Sequence, residues 1–176
     1  MSIIRKRIRS FGQDRVGSTA EEFALIAPVF ILLLLIIFEL GYMIFTQSVL
    51  DGAARTAARM IRTGQVQVAG NPLSTFQAVL CANISGVVPC GSVATDVESF
   101  GTFSSMSLPP LTKDKNGNVT NNTFSPGNPN SAVAVRVAYT YHFFVPLVAQ
   151  FLNPGGNGVV LLSTVVFKNE PYPTGP

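Results

Sequence analysis

Cys81 and Cys90 are the only cysteines of this 176-residue chain, and His142 is its only histidine. If the cysteines lie in an oxidising compartment, a disulfide closing a short loop is their natural use, contributing about 2 to 3 kcal/mol. Gly86, Pro89 and Gly91 lie nearby and suit a looped hairpin. Two reduced core thiols are the alternative. With the cysteines bridged, no three- or four-ligand transition-metal site can be assembled in one chain. The run Asp114-Lys115-Asn116-Gly117-Asn118 has the outline of a calcium loop, but its glycine is misplaced and position 12 of such a loop would be Ser125, not a bidentate acid. No glycine-rich phosphate loop or activated-serine motif occurs. The expectation is a protein that is not an enzyme and has no cofactor and no metal. Asn83-Ile84-Ser85, Asn118-Val119-Thr120 and Asn121-Asn122-Thr123 fit the N-glycosylation pattern, which is too common to carry an argument.

Glu22 is the acid whose position calls for an account. It stands beside Glu21 at the edge of a long uncharged run, where a carboxylate is costly unless it lies near an interface or is paired. One reading makes it a helix-start carboxylate favoured by the macrodipole, after Ser18 or Thr19 as cap. The other reading depends on what surrounds it: Glu22 is the fifth residue after Gly17, which ends a basic leader.

The element that positions Glu22 is a membrane helix. Phe23 to Phe38 reads FALIAPVFILLLLIIF, and after Glu39 the uncharged run resumes from Leu40 to Leu50. Phe23 to Phe45 spans roughly 34 Å at about 1.5 Å per residue, enough to cross a hydrocarbon core of about 30 Å. Pro28 removes one internal hydrogen bond near the start, a defect that membrane helices tolerate. A signal peptide would have a shorter apolar core followed by small residues at a cleavage site, whereas this one runs on into Phe38-Glu39-Leu40-Gly41-Tyr42. Glu39 lies about 25 Å along the helix from Glu22 and is expected at the outer interface as a snorkelling or solvated acid.

Charge orients the helix. Arg5, Lys6, Arg7, Arg9 and Arg15 precede it, while Arg55, Arg59 and Arg62 follow its far end, which keeps the N-terminus in the cytoplasm and sends the rest outward. The net charge of +3 is a property of that leader, because the chain beyond Gly17 carries 7 basic against 8 acidic side chains. A nucleic-acid-binding body is therefore not expected. At 47% hydrophobic and 12% charged, the composition also points to a membrane or to partner subunits.

The segment Gly17-Ser18-Thr19-Ala20-Glu21-Glu22-Phe23 resembles the processing site of Flp-type prepilins: leader, glycine, four residues, glutamate, an aromatic, then the hydrophobic helix. Three further parts narrow the resemblance to the TadE-like pseudopilins of tight-adherence pilus systems. They are Glu22-Phe23-Ala24-Leu25-Ile26-Ala27-Pro28-Val29 with Phe38-Glu39-Leu40-Gly41, the stretch from Ala53 to Gln65, and Val135-Arg136-Val137-Ala138-Tyr139 with Lys168-Asn169-Glu170-Pro171. The likeness is strongest before Gln65. Phe23 stands where the family usually has tyrosine, and Lys168 where it often has arginine. The resemblance implies a minor pilin of the bacterial inner membrane, single-pass, with a periplasmic C-terminal domain, which a prepilin peptidase cuts between Gly17 and Ser18. Its implied partners are that peptidase, other pilin or pseudopilin subunits, the pilus assembly machinery and the membrane. It further implies that Glu22 of one subunit meets the new amine of Ser18 on a neighbour, a pairing that relieves two costly charges and sets register.

The expected fold is α+β: a basic leader over residues 1–17, a transmembrane helix with its amphipathic extension over 18–64, and an extracytoplasmic domain over 65–176. The helix continues past the bilayer to Thr63, with Gly64 as its stop. Val49, Ala53, Ala57, Met60 and Ile61 form an apolar side, Arg55, Arg59 and Arg62 a solvated row, and Asp51 supports Arg55. Asn71-Pro72 opens a second helix that ends near Asn83, and Val93 to Phe103 has partial strand character. From Ala132 to Phe144, Val133, Val135, Val137, Tyr139, Tyr141 and Phe143 alternate with polar or small residues, so this is a strand with one buried face and with His142 on the other. After the turn at Asn153 to Gly158, Val159 to Phe167 pairs with it antiparallel, and Leu147 to Leu152 is a short connection. Ser104 to Ser131 is a long polar loop, read as a tolerated surface loop or as a segment ordered against a neighbour. An uncleaved bitopic anchor with an extracytoplasmic binding domain is the alternative to a pilus subunit.

Overall fold

The computed structural model describes residues 18–154, 156 and 158–173. Helix α1 runs without a break from Ser18 to Arg62, with Pro28 inside it. Its most apolar window has a mean hydropathy of 2.9 and is only 6% buried. Large apolar side chains point outward around its whole circumference from Phe23 to Phe38. The helix is therefore long and apolar enough to cross a membrane, and its most apolar stretch is not packed into the core.

Two compact units part between Glu39 and Leu40. In the second, residues 40–62 of α1 form the spine of an α+β domain. Thr46, Leu50, Ala53, Ala54, Ala57, Ala58 and Ile61 are buried, and their spacing by threes and fours places them on one side of the helix. Four alanines there let the backbone lie close to what it packs on. Arg55, Arg59 and Arg62 are exposed, as expected, but Asp51 accepts a hydrogen bond from Gln47 Nε2 at 3.0 Å. Gly64 ends the helix with φ of 79°, and a Cβ added there would stand 2.3 Å from the ring of Tyr172, so this position needs a glycine twice over.

Helix α2, Pro72–Ile84, starts on Asn71, whose side chain accepts from the backbone N–H of Ser74, with proline in the first turn. Phe76, Leu80 and Ile84 form its buried stripe. Strands β1 (Val93–Phe100), β2 (Ala132–His142) and, after helix α3 (Pro146–Leu152), β3 (Gly158–Lys168) make one antiparallel sheet in the order β1-β2-β3. The connection expected over Leu147 to Leu152 is thus a helix, with Pro146 in its first turn where no N–H is needed. Residues 40–62 of α1 are tied to both ends of the sheet. The Tyr42 and Tyr141 rings are 6.1 Å apart, and Glu170, just past β3, donates its N–H to the Arg62 carbonyl at 2.9 Å.

The structure departs from the sequence reading on the far face of the sheet. Val133, Val135, Val137 and Tyr141 are buried as the alternation predicts, but so are Ala134, Arg136, Ala138 and Thr140 on the opposite face. The segment between β1 and β2 covers them. Pro109 accepts from Arg136 Nη1 at 2.6 Å and Gly117 from Thr140 Oγ1 at 3.3 Å. Farther along, Thr123 and Ser125 exchange backbone hydrogen bonds with Val97 at 2.8 Å, and the Phe124 ring lies 5.5 Å from Phe76. Within this segment the Asn118 backbone N–H donates to Asp114, joined by those of Asn116 and Gly117 and by the Asn118 side chain, and together they hold its carboxyl below the usual carboxylate range. The stretch from Ser104 to Ser131 is thus a layer of the domain, because its polar backbone finds partners on the chain's own sheet.

Candidate functional site

Gly17 lies outside the described residues. Ser18 is the first residue of α1, and Thr19, Glu21 and Glu22 are exposed in its opening turns. From Phe23 onward the outward side chains are apolar. The described part of the first unit is therefore a short carboxylate-bearing tip followed by an apolar stretch, an arrangement that offers assembly or lipid contacts.

Glu39 does not sit where the sequence reading put it. It is only 4% exposed, and it is not without a partner. A buried acid must be satisfied inside the protein, so the expected solvated or snorkelling carboxylate is replaced by an interior polar group.

Cys81 near the end of α2 and Cys90 just before β1 form a disulfide with a Cα separation of 5.3 Å, well within the usual range. Of the two uses left open for these thiols, the bridge is the one taken. It staples the end of α2 to the start of the sheet. Beside it an open cleft of about 760 Å³ is lined by Ser74, Gln77, Thr95, Thr120, Asn121 and Asn122 among others. No side chain lining this cleft titrates near neutral pH, so it has nothing with which to move a proton. Among the described residues, no group of three or more His, Cys, Asp or Glu is placed to hold a metal ion. His142 is exposed at the end of β2.

Sequence reasoning missed the buried ion pair of the domain. Arg136 hydrogen-bonds Asp96 directly across the β1–β2 ladder, with Glu98 at 3.7 Å from the same guanidinium nitrogen. The signal was available: Asp96 and Glu98 alternate in β1 as Arg136 does in β2, and only the register was lacking. Asn169 has a role that its place in the sequence does not reveal. Its side chain donates to the Pro126 and Asn128 carbonyls at 2.9 and 3.0 Å, while Glu170 pairs with Arg62 at 3.1 Å. The Lys168-Asn169-Glu170-Pro171 stretch thus closes the covering segment onto the end of α1.

At the opposite end of the sheet, Tyr42, Tyr141, Phe143 and Phe144 form a ring cluster with centroid separations of 5.7 to 6.3 Å. Burial, followed by the nearby Tyr42, raises the Tyr139 hydroxyl above its ordinary value.

Residues 17–59 match the family model described as TadE-like protein. That match begins at the glycine before α1 and takes in its apolar length. No curated protein and no solved structure matches the chain.

Proposed function

We propose, taking the TadE-like identity of residues 17–59 as premise, that this chain is a pseudopilin or minor pilin that takes part in assembling a tight-adherence pilus and acts through contacts rather than catalysis. In this reading residues 1–17 are a leader, residues 18–64 the membrane segment and its extension, and residues 65–176 a periplasmic domain. A prepilin peptidase cuts between Gly17 and Ser18 on the cytoplasmic side and leaves α1 in the inner membrane. The new amine of Ser18 then meets Glu22 of a neighbouring subunit, where each charge relieves the cost of the other in apolar surroundings. Cell adhesion follows as the use of the assembled filament.

The observation that carries this reading is the coincidence of the family match with α1: it starts at Gly17, and the helix that follows is exposed along its apolar length. An uncleaved bitopic anchor is the second reading, favoured by the well-packed, disulfide-stapled domain that a binding module would also need. Intact-mass analysis of the protein from its native host, with the peptidase present, separates the two. A chain beginning at Ser18 supports the pilus subunit, and a chain that keeps its Met1 leader decides for the anchor.

A further inference from the structure

Helix α3 turns its apolar side out. Val148 and Ala149 are buried, whereas Leu147, Phe151 and Leu152 are exposed, together with Phe144 just upstream. Phe151 and Phe144 are 79% and 75% exposed, among the highest values for any large apolar side chain outside the membrane run. The surrounding sequence matches this surface, since Phe143 to Phe167 contains no charged residue at all. A water-facing loop seldom gathers two phenylalanines and two leucines in nine residues without a charge between them.

The position of α3 in the domain says what covers it. β2 and β3 pair from His142↔Gly158 at one end to Ala132↔Lys168 at the other. The second end lies at Arg62, through the Glu170 hydrogen bond, and the first lies at Tyr42, whose ring is 6.1 Å from Tyr141 and 6.2 Å from Phe144. A hydrocarbon core of about 30 Å entered at Phe23 is left roughly 20 residues later, in the neighbourhood of Tyr42. Tyrosine at that depth is the usual marker of the membrane–water interface. Phe144 and α3 therefore stand level with the outer surface of the bilayer, with Ile44 and Phe45 of α1 exposed in the same zone.

We propose that Phe144, Leu147, Phe151 and Leu152 form a lipid-contacting foot that enters the outer interfacial layer of the membrane and fixes the height and tilt of the domain above it. The sequence suits this occupant, because apolar side chains on a short element gain by lying in the interface and no carboxylate is present to be repelled by anionic headgroups. The proposal rests on α1 spanning the bilayer, and its test separates the two.

The chain has no tryptophan, so a single introduced one reports from a known place. The full chain carrying Phe151→Trp is reconstituted in vesicles of phosphatidylethanolamine and phosphatidylglycerol, plain or with brominated acyl chains. Phe30→Trp reports on the span, and Phe103→Trp, exposed beyond the Phe100 end of the sheet, reports on the part of the domain away from the membrane. The expected result is a blue-shifted Phe151→Trp emission that falls about twofold in brominated vesicles and resists iodide, with Phe103→Trp behaving oppositely. Iodide quenching of Phe151→Trp while Phe30→Trp is quenched by bromine overturns the foot and leaves the span standing. Protection of Phe151→Trp from both quenchers, lost on dilution of protein in lipid, assigns the surface to a second copy and overturns the proposal. Failure of bromine to reach Phe30→Trp overturns the span, and the foot with it.

Discussion

Arg136 on β2 and Asp96 on β1 face each other across the sheet with side-chain exposures of 8% and 2%, and the covering segment adds a further contact to the guanidinium through the Pro109 carbonyl. Removing one partner strands a buried charge, so Asp96→Ala is expected to cost about 3 to 5 kcal/mol. The paired change Asp96→Leu with Arg136→Met should recover most of that loss, since it removes both fully buried charges and leaves only Glu98, which is part-exposed. Denaturant unfolding of the chain in detergent, followed by near-ultraviolet circular dichroism, compares the two. A single variant no worse than the pair would show that the ion pair does not hold the covering segment.

Gly64 and Tyr172 exclude a side chain between them, and the backbone at Gly64 is left-handed. Gly64→Ala is expected to cost about 1 to 2 kcal/mol from the backbone alone, and more from displacing the ring. Adding Tyr172→Ala should remove the steric part while keeping the backbone part. It also removes the hydroxyl that donates to the Gly127 carbonyl at 3.1 Å, so Tyr172→Ala alone sets the reference. Unfolding midpoints of the three variants read the difference; additive losses would refute the clash.

Under the proposed function, Glu22→Ala leaves membrane insertion intact and impairs assembly. Carbonate extraction of membranes reads the first and surface filament counts read the second. Full piliation of the variant would remove Glu22 from the assembly contact, and loss of insertion would make it a targeting residue.

Alkaline pH should weaken the domain. Burial is the main cause that raises the hydroxyls of both Tyr139 and Tyr172 above the ordinary 10.0. A raised value means that the fold favours the neutral ring. Its contribution is complete below the unfolded-state value and is lost as pH climbs through the folded-state value. The thermal midpoint is expected to hold at neutral pH and to fall above about pH 10. Tyr139→Phe and Tyr172→Phe should flatten that fall, and an unchanged slope in both would assign the loss to other groups.

Much of this protein was legible because its strongest signals are one-dimensional. An uncharged run long enough to cross lipid, a glycine and a glutamate five positions apart, and the alternation from Val133 to Tyr141 each depend on neighbours in the chain. Asn71-Pro72 announced α2 for the same reason, since a cap and a first-turn proline act within one turn.

Other features were decided in three dimensions. Alternation in β2 says that Val135 and Arg136 face opposite ways, but not that a second layer waits on the far side. That depends on where residues 106–126 come to rest, which distant hydrogen bonds to Arg136, Thr140 and Val97 determine. Glu39 has the sequence context of an interfacial acid and the surroundings of an interior one. The exposed side of α3 follows from its docking through Val148 and Ala149 at the Tyr42 end of the sheet. Local order along the chain fixes which residues can form helix or strand, whereas burial and charge pairing belong to residues that sequence keeps far apart, so only folding assigns them.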